Sequence, residues 1–166
     1  MTNKFYYKSP IGVLEITLDN GTVIGLKVVE SCDNISEATG YFTEVAKQLD
    51  EYFAGKRAEF ELNITPKGTE FQKKVWAELL KIPYGKTKSY QEIAEAVGKP
   101  NAQRAVGSAC NKNPILLIIP CHRAFHNGTK EVKAQLIENI YNQIVPRYNS
   151  IGFEITLDEI KELYKL

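Results

Sequence analysis

The pair Cys121-His122 is the part of this sequence whose residue types could do chemistry. A cysteine attacks as the thiolate, and a neighbouring imidazole or positive charge favours that form over the thiol. Arg123 follows the pair directly. A cysteine at such a place can equally be a small buried hydrophobe without reactivity. The two residues alone leave both interpretations open.

The chain that must position this pair is an apolar run, residues 115–119, followed by Pro120. Five consecutive large aliphatic residues predict a buried extended segment. Pro120 has no N–H to continue a sheet ladder, so regular structure should stop there. Cys121 is therefore expected at the rim of a core, on a rigid stretch of backbone.

The composition is that of an ordinary globular protein, with 166 residues of which 43% are hydrophobic and 25% charged. This length fits one large domain or two small ones. No apolar stretch approaches the roughly 18 residues of a membrane span, and the N-terminus lacks the apolar core of a signal peptide. Three cysteines in this context indicate the cytoplasm, and the two histidines show no zinc-ligand spacing. We expect a cytoplasmic protein with no metal and no membrane partner.

Charge is distributed unevenly along the chain. Residues 1–66 contain six Lys/Arg and ten Asp/Glu, whereas residues 67–123 contain ten Lys/Arg and four Asp/Glu. The basic middle third includes Cys121. Such an excess favours a polyanionic partner, with nucleic acid as the first candidate. A solvated lysine-rich surface would have the same composition.

The first 66 residues predict a small N-terminal α/β domain made of an antiparallel sheet plus one helix. Turn signals at Ser9-Pro10 and Asp19-Asn20-Gly21 separate the first three strands. The strands are expected at residues 4–8, 11–18, 23–29 and 60–64, and the helix at residues 39–53. A linker signal at residues 65–68 places the domain boundary between residues 66 and 67.

Residues 67–166 predict a mainly helical C-terminal domain. Two capping boxes should begin its first two helices, and Asn101 is expected to cap the third. The boxes are Thr69 with Gln72 and Ser89 with Glu92. The second and third helices, separated by a turn at Gly98, are spaced as in a helix-turn-helix, whose second helix enters a DNA groove. A plain helical hairpin has the same pattern.

A series of motifs runs through residues 68–123 in a fixed order. They are Gly68-Thr69-Glu70-Phe71-Gln72, Val75-Trp76, Ile82-Pro83-Tyr84-Gly85-Lys86-Thr87, Ser89-Tyr90, Arg104-Ala105-Val106-Gly107, Asn113-Pro114 and Ile119-Pro120-Cys121-His122-Arg123. This series resembles the methylated-DNA–protein-cysteine methyltransferases, also called 6-O-alkylguanine-DNA alkyltransferases. The first 66 residues resemble that family's variable α/β domain in layout. The resemblance implies a winged-helix-like helix-turn-helix in the C-terminal domain.

The resemblance also implies DNA repair by direct reversal. An alkyl group would move from O6 of guanine, with O4 of thymine as a second potential target, to Cys121. The stable thioether would then inactivate the protein after one turnover. No cofactor is required. The implied partner is double-stranded DNA that contains alkylated guanine, and a monomer is expected.

By the same resemblance, His122 would deprotonate Cys121 through a water, and Tyr90 would press the target phosphate and protonate the leaving base. Arg104 would fill the gap left by the flipped nucleotide, and Asn113 would brace the turn before the cysteine. Flipping is required because a stacked guanine cannot present O6 to a buried thiolate. Further DNA contacts are expected from Ser89, Gln91, Ala102, Gln103 and Arg123.

The motif match ends after Arg123. The family's glycine-rich pocket loop is not evident, and the position of its histidine-orienting glutamate holds Ile140. Glu138 is the nearest substitute, and residues 132–144 have the spacing of an amphipathic helix. Two alternatives therefore stay open: a non-enzymatic alkyltransferase-like protein that binds alkylguanine in DNA with a disabled site, and a DNA-binding regulator whose cysteine is structural.

Overall fold

The structure, a computed structural model, describes residues 1–9, 12–84 and 86–125. The chain divides into two compact units. Among the described residues, the first contains those of Met1–Lys67 together with Pro114–Ile118, and the second contains those of Gly68–Asn113 together with residues 119–125. The sequence-based boundary at residue 66 did not anticipate that residues 114–118 would return to the first unit. In the described part of the chain, no helix is long and apolar enough to cross a membrane.

The first unit is built on an antiparallel three-stranded meander, as the sequence predicted. Its strands, in sheet order, are β1 (Thr2–Ser9), β2 (Gly12–Asp19) and β3 (Thr22–Val29). The turn between β2 and β3 is the expected Asn-Gly pair, with φ of 49° at Asn20 and 78° at Gly21. Both angles suit the tight turns that match strand twist. The predicted turn at Pro10 and the predicted strand start at Ile11 lie outside the described residues.

The helix α1 (Tyr41–Phe53) covers one face of this sheet. Alternate residues of β2 face the core, among them Leu14 and Ile16, which are fully buried. On the apolar face of α1, Val45 and Leu49 are also fully buried. Burying such side chains contributes about 1.5–3 kcal/mol each. Hydrophobic burial of this kind holds the first unit together.

The free edge of β3 is covered at two points by chain that returns to it. The Val23 N–H donates to the Asn63 carbonyl at 2.8 Å, and the Thr65 N–H donates to the Val23 carbonyl at 2.9 Å. The strand predicted at residues 60–64 is therefore wrong except for a single bridge at Ile64. The backbone of Glu61 is bonded to the Gln48 side chain of α1 and not to a strand: its N–H donates to Gln48 Oε1 at 2.8 Å, and its carbonyl accepts from Gln48 Nε2 at 3.2 Å.

The second covering point is the start of the apolar run. The Leu26 N–H donates to the Pro114 carbonyl at 2.9 Å, and the Leu116 N–H donates to the Leu26 carbonyl at 3.0 Å. Beyond this bridge the predicted extended segment is wrong, because the chain reverses. The Ile118 N–H donates to the Leu116 carbonyl at 2.8 Å across Leu117, whose φ is 67°.

This reversal is a tight three-residue turn of a rare and strained kind. A bulky residue at positive φ, such as Leu117, costs on the order of 1–3 kcal/mol. The sequence signal failed because apolar side chains can be buried without a strand: Ile115, Ile118 and Ile119 are all at most 7% exposed. The turn ends three residues before Cys121.

The second unit is mainly helical, and both predicted capping boxes are confirmed. Its elements are α2 (Glu70–Leu80), β4 (Lys88–Ser89), α3 (Tyr90–Ala96), α4 (Gln103–Asn111), a 3-10 turn (Cys121–Arg123) and β5 (Ala124–Phe125). Asn101 was wrongly predicted as the cap of α4. The N-cap is Ala102, without a side-chain bond, because a turn closed by the Ala102 N–H on the Lys99 carbonyl delays the helix by one residue.

Trp76 lies at the centre of this unit. It is 1% exposed, and its Nε1 donates to the Ala109 carbonyl at 2.9 Å, which joins α2 to α4. Gly68 lets the chain pass over the ring, because a Cβ there would lie 2.5 Å from the indole. Gly98, at φ 80°, ends α3 and allows the sharp turn into α4. The two helices of the predicted helix-turn-helix are therefore packed on one tryptophan-centred core.

Candidate active site and DNA interface

A small parallel sheet brings the chain that follows Cys121 next to the start of the helix-turn-helix. β5, which follows the Cys121–Arg123 turn directly, pairs with β4, which precedes α3. Lys88 pairs with Ala124, so Tyr90 at the start of α3 and Cys121 are each only a few residues from the same two-residue sheet. Sequence reasoning predicted both residues as site members but did not predict this sheet.

Cys121 begins the 3-10 turn, immediately after a tight turn at Pro120. The Cys121 N–H donates to the Ile119 carbonyl at 2.9 Å, with Pro120 at φ −82° and ψ 66°. These angles are those of an inverse γ-turn, which is well populated at the ends of strands and the starts of loops. The rigid proline thus fixes the direction in which Cys121 leaves the core, and the thiol is half-buried.

Asn113 braces this region through its side-chain amide. Its Nδ2 donates to the Ile119 carbonyl at 2.8 Å, and its backbone N–H donates to the Cys110 carbonyl at 3.2 Å. The same side chain also hydrogen-bonds the sulfur of Cys121. A single amide therefore links the end of α4, the chain before Pro120 and the thiol, as the predicted brace would require.

The environment of Cys121 acts on its ionisation in both directions. Burial raises the pKa of the thiol and is the largest effect, because it disfavours the charged thiolate. The Asn113 amide and the nearby backbone N–H groups of Cys121 and His122 lower that pKa, because they favour the negative charge of the thiolate. In the resting site the proton therefore stays on sulfur, while donors that would stabilise the thiolate are already in place.

His122 is buried behind the cysteine, with 9% of its surface exposed. Burial, and after it the adjacent Arg123 charge, lowers the pKa of the imidazole to about 3. The ring is therefore neutral near pH 7, and burial makes it a weaker base than an exposed histidine. Within the described residues its Nε2 has no hydrogen-bond partner. Buried polar atoms normally have a hydrogen-bond partner, so this nitrogen is available to accept or donate a hydrogen bond.

Tyr90 packs its ring against α4 at Gly107. A Cβ at Gly107 would lie 3.1 Å from Cε2 of the tyrosine, closer than such contacts normally allow. Burial raises the pKa of Tyr90, and the charges of Cys110 and Cys121 as thiolates would raise it further. The phenol therefore stays protonated and keeps a proton to donate.

The residues predicted to contact DNA differ in how exposed they are. Arg104 is exposed on α4, and Ala102 and Gln103 at the start of that helix are half-buried. Gln91 is exposed on α3, where its Nε2 donates to Glu95 at 3.3 Å. These residues lie on the two helices of the helix-turn-helix.

Two of the residues predicted to contact DNA have partners within the protein. Ser89 is buried, and its hydroxyl accepts the Glu92 N–H at 3.1 Å as the cap of α3. Arg123 donates through Nη1 to the Ile82 carbonyl at 2.7 Å, and its guanidinium carbon lies 5.6 Å from the centroid of the Tyr84 ring. The capping role of Ser89 was predicted from its capping box, whereas the sequence motifs did not indicate the partners of Arg123.

Comparison with known proteins places the chain in a family. The model of the 6-O-methylguanine DNA methyltransferase DNA-binding domain matches residues 70–139, and the model of that family's ribonuclease-like domain matches residues 4–66. A methylated-DNA–protein-cysteine methyltransferase of Methanosarcina barkeri is 50% identical over 106 residues, which cover 64% of this chain and 67% of the relative. A protein of the same name from Mycobacterium leprae is 48% identical over 120 residues, which cover 69% of this chain and 73% of the relative. The chain belongs to the 6-O-methylguanine DNA methyltransferase family.

Solved structures agree with this assignment. The Mycobacterium tuberculosis O6-methylguanine methyltransferase matches with a TM-score of 0.69 at 33% identity, covering 90% of this chain and 94% of that one. Mycobacterium tuberculosis OGT in complex with DNA matches with a TM-score of 0.68 at 33% identity, covering 93% of this chain and 96% of that one. The predicted fold class, a small α/β domain followed by a helical DNA-binding domain, is confirmed.

The family models also extend the likeness beyond the motifs quoted from the sequence. The DNA-binding-domain match continues past Arg123 to residue 139, and the N-terminal match is a match of sequence rather than of layout alone. Glu138, the predicted substitute for the family's glutamate, lies outside the described residues, as does the predicted helix at residues 132–144. Its role stays a prediction.

Sequence reasoning missed Cys110 and Gly107 as neighbours of the site. Burial raises the pKa of Cys110 to about 12, so this second thiol stays protonated. The helical spacing of the buried residues Val106, Ala109 and Cys110 could have placed Cys110 on the inner face of α4. No sequence signal apart from the motif itself points to the contact between Gly107 and Tyr90.

Proposed function

We propose that Cys121 is the alkyl acceptor of a DNA repair reaction and that His122 and Tyr90 handle its protons. The chain is a single-turnover methyltransferase that repairs DNA by direct reversal, transferring an alkyl group to a cysteine. The observation that supports Cys121 is its surroundings. A half-buried thiol lies beside the Asn113 amide and two backbone N–H groups, all of which lower its pKa, and is followed in the chain by a buried neutral imidazole.

The reaction is an in-line displacement in which the sulfur forms a bond to the alkyl carbon as the bond from that carbon to guanine O6 breaks. The thiol proton leaves through His122, whose neutral ring can accept it. The departing base needs a proton to become guanine, and Tyr90, still protonated, is placed to supply one. The net result is that the thiol hydrogen is exchanged for the alkyl group and the proton ends on the base, so no cofactor takes part.

The donors around the sulfur explain how a thiol with a raised pKa can react. Burial resists ionisation, so the thiolate is a minor form in the resting site. Asn113 and the backbone N–H groups stabilise the negative charge once it develops, without reorganisation at the moment of transfer. Fixed donors of this kind act on the reacting state more than on the resting thiol.

Double-stranded DNA is the partner, and we propose alkylated guanine as the target base. The first support is the family assignment and the likeness to OGT in complex with DNA. The second is local: the exposed Arg104 on α4 lies on the helix expected to enter a groove. The base must leave the duplex to reach a half-buried sulfur, and the energetic cost of unstacking is a few kcal/mol. Arg104 would offset part of that cost by filling the vacated space.

We further propose that the protein acts as a cytoplasmic monomer, with a domain boundary near residue 66.

For the site as a whole, the competing function is a sensor that binds alkylguanine without transfer. The relatives at 48–50% identity bear the name of methyltransferases, and Cys121 is present. Both facts favour transfer over sensing.

The test is to incubate a duplex containing 6-O-methylguanine with excess protein and to measure guanine recovered from the DNA. The wild-type chain and Cys110→Ser should convert the base with one equivalent of protein consumed per lesion. Cys121→Ser should bind the duplex and convert none. Conversion by Cys121→Ser would contradict the assignment of the acceptor, and binding without conversion by the wild type would favour the sensor.

A further inference from the structure

Arg123 ends the 3-10 turn that begins at Cys121, and its side chain folds back onto the end of α2. Nη1 donates to the Ile82 carbonyl at 2.7 Å, and the guanidinium carbon lies 5.6 Å from the centroid of the Tyr84 ring. The Arg123 N–H also donates to the Pro120 carbonyl at 3.0 Å. Both its main chain and its side chain are therefore bonded to other parts of the second unit.

The contact with Ile82 is of a strong type. Hydrogen bonds from a charged donor are shorter and stronger than neutral ones, and 2.7 Å is at the short end of their range. The acceptor lies just past the C-terminus of α2, where the helix dipole is negative and favours a cation. The last turn of α2 itself contains no basic residue. Lys81, the C-cap residue, is paired with Glu78 at 2.8 Å, so Arg123 is a second cation at this helix end and the one that bonds the Ile82 carbonyl.

Tyr84 adds a second point of attachment. Its side chain is 39% exposed, and the guanidinium lies over its ring as in a cation–π pair. A planar guanidinium can stack on a ring and donate in its own plane at the same time, whereas an ammonium cannot do both. The geometry thus depends on arginine in particular and not on positive charge alone.

We propose that Arg123 is a positioning residue that fixes the Cys121 turn against the end of α2, with Tyr84 holding the guanidinium plane. This inference rests on the proposed transfer to Cys121. It replaces the expectation, drawn from the motif resemblance, that Arg123 contacts DNA. The charge of Arg123 also helps to keep the adjacent buried His122 neutral, after the larger effect of burial.

The test compares Arg123→Lys, Tyr84→Ala and the matched control Tyr84→Phe, using free 6-O-alkylguanine base as the alkyl donor. The maximal rate of transfer at saturating base should fall about ten- to a hundredfold in Arg123→Lys, the range that follows from losing a hydrogen bond to a charged group. Tyr84→Ala should lower the maximal rate in part, and Tyr84→Phe should leave it unchanged. The base concentration at half-maximal rate should stay unchanged, which a general loss of folding would not produce.

Duplex binding separates this role from a phosphate contact. A phosphate ligand would let Arg123→Lys keep the wild-type rate, and Arg123→Ala would lower the slope of log affinity against log salt by about 0.9. Either result would overturn the proposal. We expect the slope of Arg123→Ala to match that of the wild type.

Alkylation of Cys121 by iodoacetamide, followed across pH by peptide mass spectrometry, gives a readout that does not depend on methyl transfer. The pH at which the alkylation rate of Cys121 is half-maximal should shift in Arg123→Lys and in Tyr84→Ala but not in Tyr84→Phe. A wild-type chain that transfers no methyl group, with the shift present, would reject the proposed function and keep the positioning role. Unchanged profiles in a chain that does transfer would reject the positioning role alone.

Discussion

Replacing His122 with Gln should remove much of the acid sensitivity of this fold. The folded pKa of the imidazole is about 3, against 6.5 for an ordinary histidine, chiefly because the ring is buried. The unfolded chain takes up a proton below pH 6.5, and the folded chain does not. His122 therefore contributes full stability above that pH, and its contribution falls as pH drops towards the folded pKa.

The magnitude follows from the two pKa values. Well below pH 6.5 the free energy of unfolding should fall by about 1.4 kcal/mol per pH unit from this residue alone. Between about pH 7 and pH 5 the integrated loss is about 2 kcal/mol. That is a large part of the roughly 5–15 kcal/mol that stabilises a typical domain.

The assay is urea unfolding at several pH values between about 7 and 5. The two chains compared are His126→Gln and His126→Gln with His122→Gln, so that His122 is the only histidine in the first of them. Carboxylates titrate alike in both chains, and their contribution cancels in the difference. The first chain should lose about 2 kcal/mol more than the second over this range. Parallel curves would refute the assignment of His122 as a buried neutral base.

Three further outcomes test the site and its support. Arg104→Ala should slow transfer from duplex DNA by about tenfold or more while leaving transfer from free base unchanged, since the residue acts on the flipped duplex; equal losses in the two rate assays would count against flipping. Gly107→Ala should slow transfer from both donors, because the new methyl group would displace the Tyr90 ring by a few tenths of an ångström. If this effect acts through the Tyr90 hydroxyl, the double variant Gly107→Ala/Tyr90→Phe should transfer no more slowly than Tyr90→Phe alone. Trp76→Phe should cost about 1–3 kcal/mol in thermal or urea unfolding, because the bond to the Ala109 carbonyl is lost; an unchanged stability would show that this bond contributes nothing.

Local signals in the sequence predicted the parts of the fold that depend on local chemistry. The capping boxes at Thr69 and Ser89 and the Asn20-Gly21 turn formed as expected, because each is satisfied by bonds within a few residues. The order of the site motifs likewise predicted the family. These features need no knowledge of distant contacts.

The features that sequence reasoning missed depend on distant partners. The apolar run was predicted as extended, but Pro114 and Leu116 are bonded to Leu26, and the chain then reverses at Leu117. Nothing within residues 114–119 encodes where β3 has a free edge. A periodicity argument therefore cannot find this turn.

The side chain of Arg123 shows the same limit within the site. Its motif position suggested a DNA contact, and nothing in the motif indicated that its guanidinium donates to the Ile82 carbonyl. A motif identifies which residues occur together, but it does not say whether a polar group faces outward or is satisfied inside. Only the geometry of the second unit distinguishes a contact with DNA from a contact that positions the cysteine.

The central claim, that Cys121 accepts the alkyl group, is tested most directly by weighing the intact protein after incubation with a duplex that contains one 6-O-methylguanine. We expect a single mass increase, equal to the replacement of one hydrogen by a methyl group, which peptide mapping assigns to Cys121 and not to Cys110 or Cys32. An unchanged mass in a chain that binds this duplex, or a methyl group on another residue, would contradict it.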